Sequence, residues 1–486
     1  MIKELQPKEV FSIFHEITQV PRPSKREGKI IEWLKAFAVK HNLEHTVDEA
    51  GNIIMRKPAT PGYEDKPGVI LQAHMDMVCE KNNDTVHDFD NDPIKTYIDG
   101  DFIKAEGTTL GADNGIGMAL MLAAITSDTL QHPALECLFT VDEETGLTGA
   151  FRLQDGCLQG KQLINLDSED DGQVFIGCAG GIDTLAKMHY EAMRVEAKGD
   201  RLAIRLKVSG LMGGHSGDDI NKGRGNANKI LVRFLYQALS TFDIQLSTIN
   251  GGNLRNAIAR EAEAVIIIPM AYKEDIRIML NHYIATIEQE IGDVEKDFAM
   301  SLETTDMPET VIPADKAKML IQALYACPHG MTAMSKTMPG LVETSTNLAS
   351  IKMREDEKGA YIEINTSQRS SIESKKHDIK QMVECALALA CDEVTHGDGY
   401  PGWAPNPQSP LLEVTKKAYQ DLFAAEPKVL AIHAGLECGL FLEKYPYLDM
   451  VSIGPQMFGV HSPQERLNIT STGKCWEWLK AILTAL

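Results

Sequence analysis

The stretch Gly68–Glu80, GVILQAHMDMVCE, indicates how the first part of the chain folds. An apolar run typical of a buried strand stops at His74, and Asp76 follows two residues later. Positions i and i+2 of an extended chain lie on one face, so this aspartate can orient the imidazole through its second nitrogen. A lone strand-end histidine is more often structural than a ligand. The interpretation of His74 therefore depends on the rest of the chain.

Strand and helix patterns alternate around this stretch. NIIMRK and GVILQAH predict strands, and GIGMALMLAAITS predicts a nearly all-apolar helix buried between layers. ALECLFTVDEE and KQLINLDSE are further short apolar runs, and both end in acids. This alternation predicts an α/β fold with a mixed, mostly parallel sheet and flanking helices. Ligands of such sheets bind beyond the carboxyl ends of the strands, where these polar ends would converge.

The pattern of apolar and polar residues changes near Tyr190. RLAIRLKVSG and EAEAVIIIPM alternate like half-solvated strands, and amphipathic helices such as NKILVRFLYQAL lie between them. This pattern predicts an inserted α+β lid domain, after which the Pro- and Gly-rich loop HGDGYPGWAPNPQSP leads back to an α/β segment. The predicted domains are 1–188 and 393–486 for the two parts of the catalytic domain, and 189–392 for the lid.

Composition excludes several classes of function. The 486 residues carry a formal charge of −21, which argues against nucleic acid and anionic membranes as partners, because both bind basic surfaces. The first residues, MIKELQPKEV, lack the apolar core of a signal peptide, and this predicts a cytoplasmic protein. The nine cysteines are scattered and never spaced CxxC, which is typical of reduced thiols.

Further candidate metal ligands follow His74 along the chain. Asp113 lies in the Gly-rich turn TLGADNGIG, the pair Glu143–Glu144 ends a predicted strand, Asp167 ends another, and His461 lies in a late loop. Each has an ordinary explanation by itself, since such turns are common and paired glutamates usually form a solvated face. Together they are the ligands expected of two divalent ions that share a bridging carboxylate. The lack of cysteine among them fits hydrolytic zinc better than structural zinc.

The motifs HxD, GxDNG, DEExG, a strand-end Asp, GGHSG and a late His occur in this order. The chain thereby resembles the co-catalytic zinc peptidases, the family that includes peptidase T, carboxypeptidase G, carnosinase and the aminoacylases, over essentially its full length. The resemblance implies a zinc exopeptidase-like fold with two divalent metal ions, Zn²⁺ being expected and Co²⁺ or Mn²⁺ the alternatives. It implies these ligands: His74 and Asp167 for one ion, Glu144 and His461 for the other, and Asp113 as the bridge.

The resemblance also implies roles around the metals. Asp76 would hold His74 in place, and Glu143 would be the general base that takes a proton from the metal-activated water. His215, in LMGGHSGDD, would stabilise the oxyanion from the lid, so that lid closure would gate catalysis. The implied substrate contacts are Asn256 in GGNLRNAIA, Gly435 in AIHAGLECGLF, and Arg369, for which a surface salt bridge is the equally frequent explanation.

The activity that these features predict is that of a metal-dependent dipeptidase for unblocked dipeptides. Xaa-His dipeptides, including carnosine-like ones, are the expected substrates, and neither nucleic acid nor membrane is an expected partner. One alternative is an N-acyl amino acid deacylase on the same scaffold; another is a non-catalytic protein that keeps the metals for stability or storage. A tandem lid is compatible with a monomer that mimics a dimer and equally with a homodimer.

Overall fold

The computed structural model describes residues 2–195, 200–433 and 435–486, which form two compact units. The first unit comprises the residues through Cys178 together with Trp403–Ala431 and Leu436–Leu486. The second comprises Ala179–Gly402 and Ile432–Gly435. The domain bounds inferred from the sequence, with the lid at 189–392, stay a prediction.

The elements are numbered in chain order over the described residues. The helices are α1 Lys8–Thr18, α2 Gly28–Lys40, α3 Ala112–Thr126, α4 Glu143–Gly146, α5 Thr148–Arg152, α6 Ala227–Thr241, α7 Lys273–Ile291, α8 Ala314–Ala326, α9 Glu373–Leu387, α10 Pro410–Phe423, α11 Cys438–Lys444 and α12 Ile469–Ala485. The strands through the first half are β1 Glu44–Val47, β2 Ile53–Lys57, β3 Val69–His74, β4 Thr96–Asp99, β5 Phe102–Ala105, β6 Leu135–Thr140, β7 Gln162–Asn165, β8 Gln173–Cys178, β9 Gly180–His189, β10 Met193–Arg194, β11 Arg201–Ser209 and β12 Gly214–His215. The remaining strands are β13 Gln245–Gly251, β14 Ala257–Ile258, β15 Ala262–Pro269, β16 Ala299–Thr305, β17 Thr310–Val311, β18 Gly330–Met334, β19 Val342–Asp356, β20 Gly359–Ser370, β21 Glu393–His396, β22 Lys428–Ile432, β23 Asp449–Ser452, β24 Met457–Phe458 and β25 Arg466–Asn468.

A mixed sheet with a parallel centre organises the first unit. In the described part of the chain it has eight strands in the order β1-β2-β6-β3-β7-β23-β8-β22. β3 runs parallel to β6 and β7, and β23 runs parallel to β7. β1 pairs antiparallel with β2, β2 with β6, and β8 with β23. His74 lies opposite Thr140, and Gln72 lies opposite Asn165, so the carboxyl ends of these strands meet at one edge.

Burial explains why the central strands are apolar. Every residue of β3 and of β6 is buried, as expected of parallel strands that are covered on both faces. α3 packs against β3 and is buried along nearly its whole length, from Ala112 to Ile125. The polar side chains at the carboxyl edge of the sheet are thus held by strands that are buried in an apolar core.

The second unit is built on an antiparallel sheet. Among the described residues it has nine strands, ordered β16-β11-β15-β13-β19-β20-β9-β21 with β18 paired to β19. Helices α6 to α9 contribute the apolar side chains Phe234, Leu280, Leu320 and Val383 to its core. Within the described residues, no helix has both the length and the apolar character needed to cross a membrane.

Candidate metal centre

β3 brings His74 to the carboxyl edge of the first unit's sheet, and the following loop places Asp76 beside the imidazole. The Nδ1 atom of His74 lies 3.3 Å from Oδ1 of Asp76, and both side chains are buried. Asp76 also accepts hydrogen bonds from the Ser24 hydroxyl at 2.8 Å. The backbone N–H groups of Glu143 (3.0 Å) and Glu144 (3.3 Å) donate to the same carboxylate. One side chain therefore holds both the imidazole and the turn that carries the two glutamates.

Asp113 lies between the two histidines. Its Oδ1 is 2.9 Å from Nε2 of His74, and its Oδ2 is 3.1 Å from Nε2 of His461. Asp113 sits at a kink in the first turn of α3, where its backbone is not helical, and the Asp113–Asn114 peptide bond is cis. Each oxygen of one carboxylate thus faces a different imidazole, which is the arrangement of a bridging ligand.

Two further carboxylates complete the arrangement on either side of Asp113. Oδ1 of Asp167 lies 3.3 Å from Nε2 of His74, and Oε2 of Glu144 lies 3.0 Å from Nε2 of His461. The Nε2 atom of each histidine therefore faces one carboxylate of its own, and the two histidines share Asp113. The amide of Asn114 donates to Asp167 at 2.6 Å and fixes the orientation of that carboxylate.

The donor set is of a kind that can hold divalent cations. Donor atoms of His74, Asp113 and Glu144 lie within 4.8 Å of one another. Oε1 of Glu144 is buried without a hydrogen-bond partner in the described structure, as expected of an oxygen reserved for a cation. Imidazole nitrogen and carboxylate oxygen together suit zinc and its neighbours among the divalent ions.

The carboxylates around His74 and His461 favour positive charge at this site. Hydrogen bonds with Asp113 and Glu144 raise the pKa of His461 to about 11. Burial lowers the pKa of His74, but the charge of Asp167 and the contact with Asp113 outweigh it and leave that pKa well above its usual value. This charge can be supplied by protons on the rings or by metal cations.

Glu143 lies in the turn that also carries the candidate ligand Glu144. The turn begins at Asp142, whose φ of 50° is left-handed, and Glu143 is the first residue of α4. Burial raises the pKa of the Glu143 carboxyl well above its usual value. Glu143 and its neighbour Glu144 are partly buried, with both of their N–H groups held by Asp76.

Buried polar residues that the sequence patterns did not identify support this edge. The Glu437 carboxylate, fully buried at the N-terminus of α11, accepts hydrogen bonds from the Gln72 amide at 2.6 Å and from the Thr140 hydroxyl at 2.9 Å. Asn165 donates to Gln72 at 2.6 Å. In the sequence, the one sign of these buried polar contacts is Gln72, a glutamine inside the otherwise apolar run of β3.

Arg22 is a second support that the sequence patterns missed. Only 2% of it is exposed, and its guanidinium donates to the carbonyl oxygens of Met75 at 3.1 Å and Asp76 at 2.7 Å. It also donates to the carbonyl of Gly111, whose φ is 69°. A Cβ at this glycine would lie 2.5 Å from Nη2 of Arg22, so the close approach requires glycine there.

The other predicted site residues lie in the second unit. His215 ends β12, where it pairs with Ala257 of β14, and its Nδ1 accepts from the N–H groups of Gly217 and Asp218 at 3.3 Å. Oδ2 of Asp218 lies 3.4 Å from the same Nδ1. Asn256 is exposed in the preceding loop, and its carbonyl accepts from the Ser216 N–H at 2.8 Å.

Arg369 and Gly435 meet at Tyr400. Arg369 is only 7% exposed, and its Nη1 donates to the Tyr400 hydroxyl at 3.0 Å. A Cβ at Gly435 would lie 2.8 Å from the Tyr400 ring, so glycine permits this packing. Nearby, the buried His433 ring lies 2.7 Å from the Ser345 hydroxyl, a pair that no sequence pattern indicated.

Comparisons with known proteins relate this architecture to peptidases. The sequence pattern of Peptidase family M20/M25/M40 matches residues 70–485. The chain is 42% identical over 482 residues to the cytosol non-specific dipeptidase of Escherichia coli (strain K12), covering 99% of this chain and 98% of that protein.

Solved structures give the same relationship. The aminoacylhistidine dipeptidase of Vibrio alginolyticus superposes with a TM-score of 0.94 at 40% identity, covering 100% of this chain and 98% of that one. The aminopeptidase PepT of Bacillus cereus ATCC 10987 shares the fold, with a TM-score of 0.63 at 17% identity over 99% of both chains. The α/β fold class with an added α+β part that was predicted from the sequence is confirmed.

Proposed function

The chain belongs to Peptidase family M20/M25/M40, as its resemblance to the co-catalytic zinc peptidases predicted, and from this premise we propose that it is a metallo-dipeptidase. It is a hydrolase, and its proposed reaction is cleavage of the single peptide bond of unblocked dipeptides. Xaa-His dipeptides, including carnosine-like ones, are the proposed preferred substrates. The aminoacylhistidine dipeptidase at 40% identity supports this preference, and the non-specific dipeptidase at 42% supports a wider range.

The observation that carries the proposal is the position of Asp113 between His74 and His461, one oxygen toward each imidazole. With Asp167 and Glu144 on the outer sides, this set would hold two divalent ions, and zinc is the proposed pair. When bound, such ions polarise the peptide carbonyl and make a water nucleophilic near neutral pH.

Glu143 is the proposed general base. It lies next to the proposed ligand Glu144, and Asp76 fixes the backbone of both. Its carboxylate would accept the proton of the attacking water and return it to the leaving amine, because one group can serve both steps when it stays within reach. Asp76 acts as a positioning residue, since its carboxylate also contacts the imidazole of His74.

The residues of the second unit are proposed to recognise the substrate. His215 would stabilise the carbonyl oxygen of the scissile bond, a role that rests on the family resemblance. Arg369, whose buried Nε has no hydrogen-bond partner in the described structure, would bind the carboxylate of the dipeptide. Asn256 and Gly435 are the remaining proposed substrate contacts, and they rest on the family resemblance.

A substrate panel on the zinc-loaded protein tests the proposal. We expect cleavage of Ala-His and carnosine, slower cleavage of dipeptides without histidine, and little cleavage of N-acetyl-histidine, whose amine is blocked. Faster release of acetate from the acetylated set would instead establish the N-acyl amino acid deacylase. Absence of any hydrolysis in the metal-loaded protein would favour the non-catalytic alternative.

The proposed location is the cytoplasm. It is supported by the name of the 42% identical relative, a cytosol dipeptidase, and by reduced thiols, since the described cysteines form no disulfide. Fractionation of the native cells with an antibody to the protein tests this proposal. Recovery in a secreted or membrane fraction would contradict it.

A further inference from the structure

We propose that Glu465 is a positioning residue that locks the loop of His461 onto the loop of Asp113, and this inference rests on the proposed two-metal centre. The Glu465 side chain is only 3% exposed. Its Oε2 accepts from the N–H groups of Leu110 at 2.7 Å and Gly111 at 3.0 Å. Its Oε1 accepts from the N–H groups of Ala112 at 2.7 Å and Asp113 at 3.3 Å.

A single carboxylate therefore satisfies four consecutive backbone amides where α3 begins. The first N–H groups of a helix lack partners within the helix, and a carboxylate there also interacts favourably with the helix dipole. Local side chains usually provide such a cap, but Glu465 lies 352 residues after Asp113 in the chain. The contact therefore links two distant segments as well as capping the helix.

The segment that carries Glu465 also carries a proposed ligand. His461 precedes it by four residues and has a left-handed backbone, with φ of 61°. The Glu465 N–H donates to the carbonyl of Ser462 at 3.0 Å, which closes this short turn. Fixing the Glu465 carboxylate on the Asp113 loop thus fixes the base of the His461 side chain. The imidazole reaches the Asp113 carboxylate at 3.1 Å from the same turn.

Arg22 extends this linkage to the third ligand loop. It donates to the carbonyls of Met75 and Asp76, directly after His74, and to the carbonyl of Gly111, whose N–H donates to Glu465. The two buried side chains carry opposite charges, and each interacts electrostatically with the other. Between them, Arg22 and Glu465 connect the backbones that present His74, Asp113 and His461.

The variant Glu465→Gln isolates this role. Glutamine keeps the size of the side chain, but its NH₂ group cannot accept hydrogen bonds, so two of the four amides lose their acceptor. Supporting residues behind metal ligands typically change metal affinity by about 10–100-fold. We expect a loss of that size in the affinity for zinc at the centre, while the ligands themselves are unchanged.

The experiment measures zinc binding to the apo forms of the wild type and of E465Q by competition with a chromophoric chelator. The visible absorption of the Co²⁺-loaded proteins reports the coordination geometry, which a purely structural defect elsewhere would leave unaltered. Glu477→Gln is the matched control, since Glu477 lies on α12 with 53% of its side chain exposed. We expect weaker zinc binding and a changed Co²⁺ spectrum for E465Q only.

Unchanged zinc affinity and an unchanged Co²⁺ spectrum in E465Q would overturn the inference, whatever the melting temperature of the variant. If E465Q does not fold, Glu465→Asp replaces it, because the shorter carboxylate can reach only part of the four amides and should weaken zinc binding to a smaller degree. Wild-type affinity in E465D would then overturn it. A wild-type protein that binds no zinc would contradict the proposed function itself, a result distinct from normal binding by both wild type and variant.

Discussion

Glu143 is the residue whose removal should separate metal binding from hydrolysis. In Glu143→Ala we expect both metal ions to be retained, because the carboxylates that face Nε2 of the two histidines are Asp113, Asp167 and Glu144. Hydrolysis should fall by about 10²–10⁴-fold, the usual contribution of a general base. Elemental analysis of the purified variant together with its kcat on Ala-His measures the two effects.

The control for this substitution is Glu49→Ala, since Glu49 is an exposed glutamate of the same unit. It should leave both metal content and kcat unchanged. A fully active Glu143→Ala variant would contradict the assignment of Glu143 as the base. Loss of metal together with activity would indicate a ligand role instead.

At the scale of residues, the sequence singled out candidate ligands by their identity and position. Histidines and acids at strand ends and in Gly-rich turns were recognisable, and the structure gathers His74, Asp113 and His461 within 3.1 Å contacts. Arg22 and Glu465 were not recognisable, because their partners are backbone groups of distant loops. Backbone contacts of this kind leave no pattern in the spacing of side chains.

Gly111 tests how strictly the start of α3 is constrained. Its left-handed φ of 69° would cost an alanine about 1–2 kcal/mol of unfolding free energy. A Cβ would also meet Nη2 of Arg22 at 2.5 Å and Sδ of Met77 at 2.7 Å. Crowding of this kind adds about 1–3 kcal/mol. We therefore expect Gly111→Ala to lower both the urea midpoint and the zinc affinity.

The matched control is Gly100→Ala, at a φ of 58° with no atom within 4 Å of the added Cβ. This substitution introduces the backbone strain without the crowding. It should lower the unfolding free energy only by the amount due to strain and leave zinc binding unchanged. Equal effects of the two alanines on stability and on zinc affinity would show that contact with Arg22 has no influence on the metal centre.

His329 offers a pH test within the second unit. Burial, and then the nearby Lys229 ammonium, lower the pKa of His329 to about 4, and its Nδ1 accepts from the Leu348 N–H at 3.2 Å. The unfolded chain takes up this proton near its ordinary pKa of about 6.5. The unfolding free energy should therefore fall as the pH decreases from about 6.5 to 4, while the full contribution is present above that range.

The variant His329→Asn keeps an acceptor for the N–H but does not titrate, so its stability should depend less on pH over this range. Urea unfolding of the apo proteins at several pH values measures the difference between the wild type and the variant. His377→Asn is the control, since the His377 side chain is 53% exposed on α9. Parallel pH profiles for wild type and His329→Asn would refute the role of His329.

At the scale of elements, the spacing of apolar residues predicted strands in which buried and exposed residues alternate. It did not predict one strand that is buried on both faces. β11 and β15 were predicted from their alternation, and the structure pairs them in register along Arg201–Val208. β19, Val342–Asp356, was not predicted, although its first ten residues are buried. Those residues include Thr344, Ser345 and Asn347, whose polar groups find partners only once the second unit has folded.

Removal of metal should weaken the whole molecule as well as inactivate it. A ligand that binds only the folded state stabilises it by about 4 kcal/mol at a free concentration 1,000 times its Kd. We expect dialysis against a chelator to abolish hydrolysis and lower Tm, and zinc to restore both. Mg²⁺ should not restore them, because it prefers an octahedral set of oxygens. Unchanged Tm and activity in protein shown to be metal-free would contradict the proposed centre.

At the scale of the molecule, the alternation of strand and helix patterns was sufficient for the fold class but not for the sheet order. β6 pairs with both β2 and β3, although β3 follows β2 directly in the chain. Such an order depends on packing between segments far apart in sequence.

The separation of the proposed ligands along the chain has a consequence for how the protein is made. His74, Asp113, Glu144 and Asp167 are translated well before His461, which faces Asp113 across 348 positions of sequence. During synthesis, the ribosome-bound chain therefore presents an acidic half-site with a single imidazole. Contacts between such distant residues form late, because the loop between them must first be closed. Incomplete translation products should accordingly bind metal poorly and remain inactive.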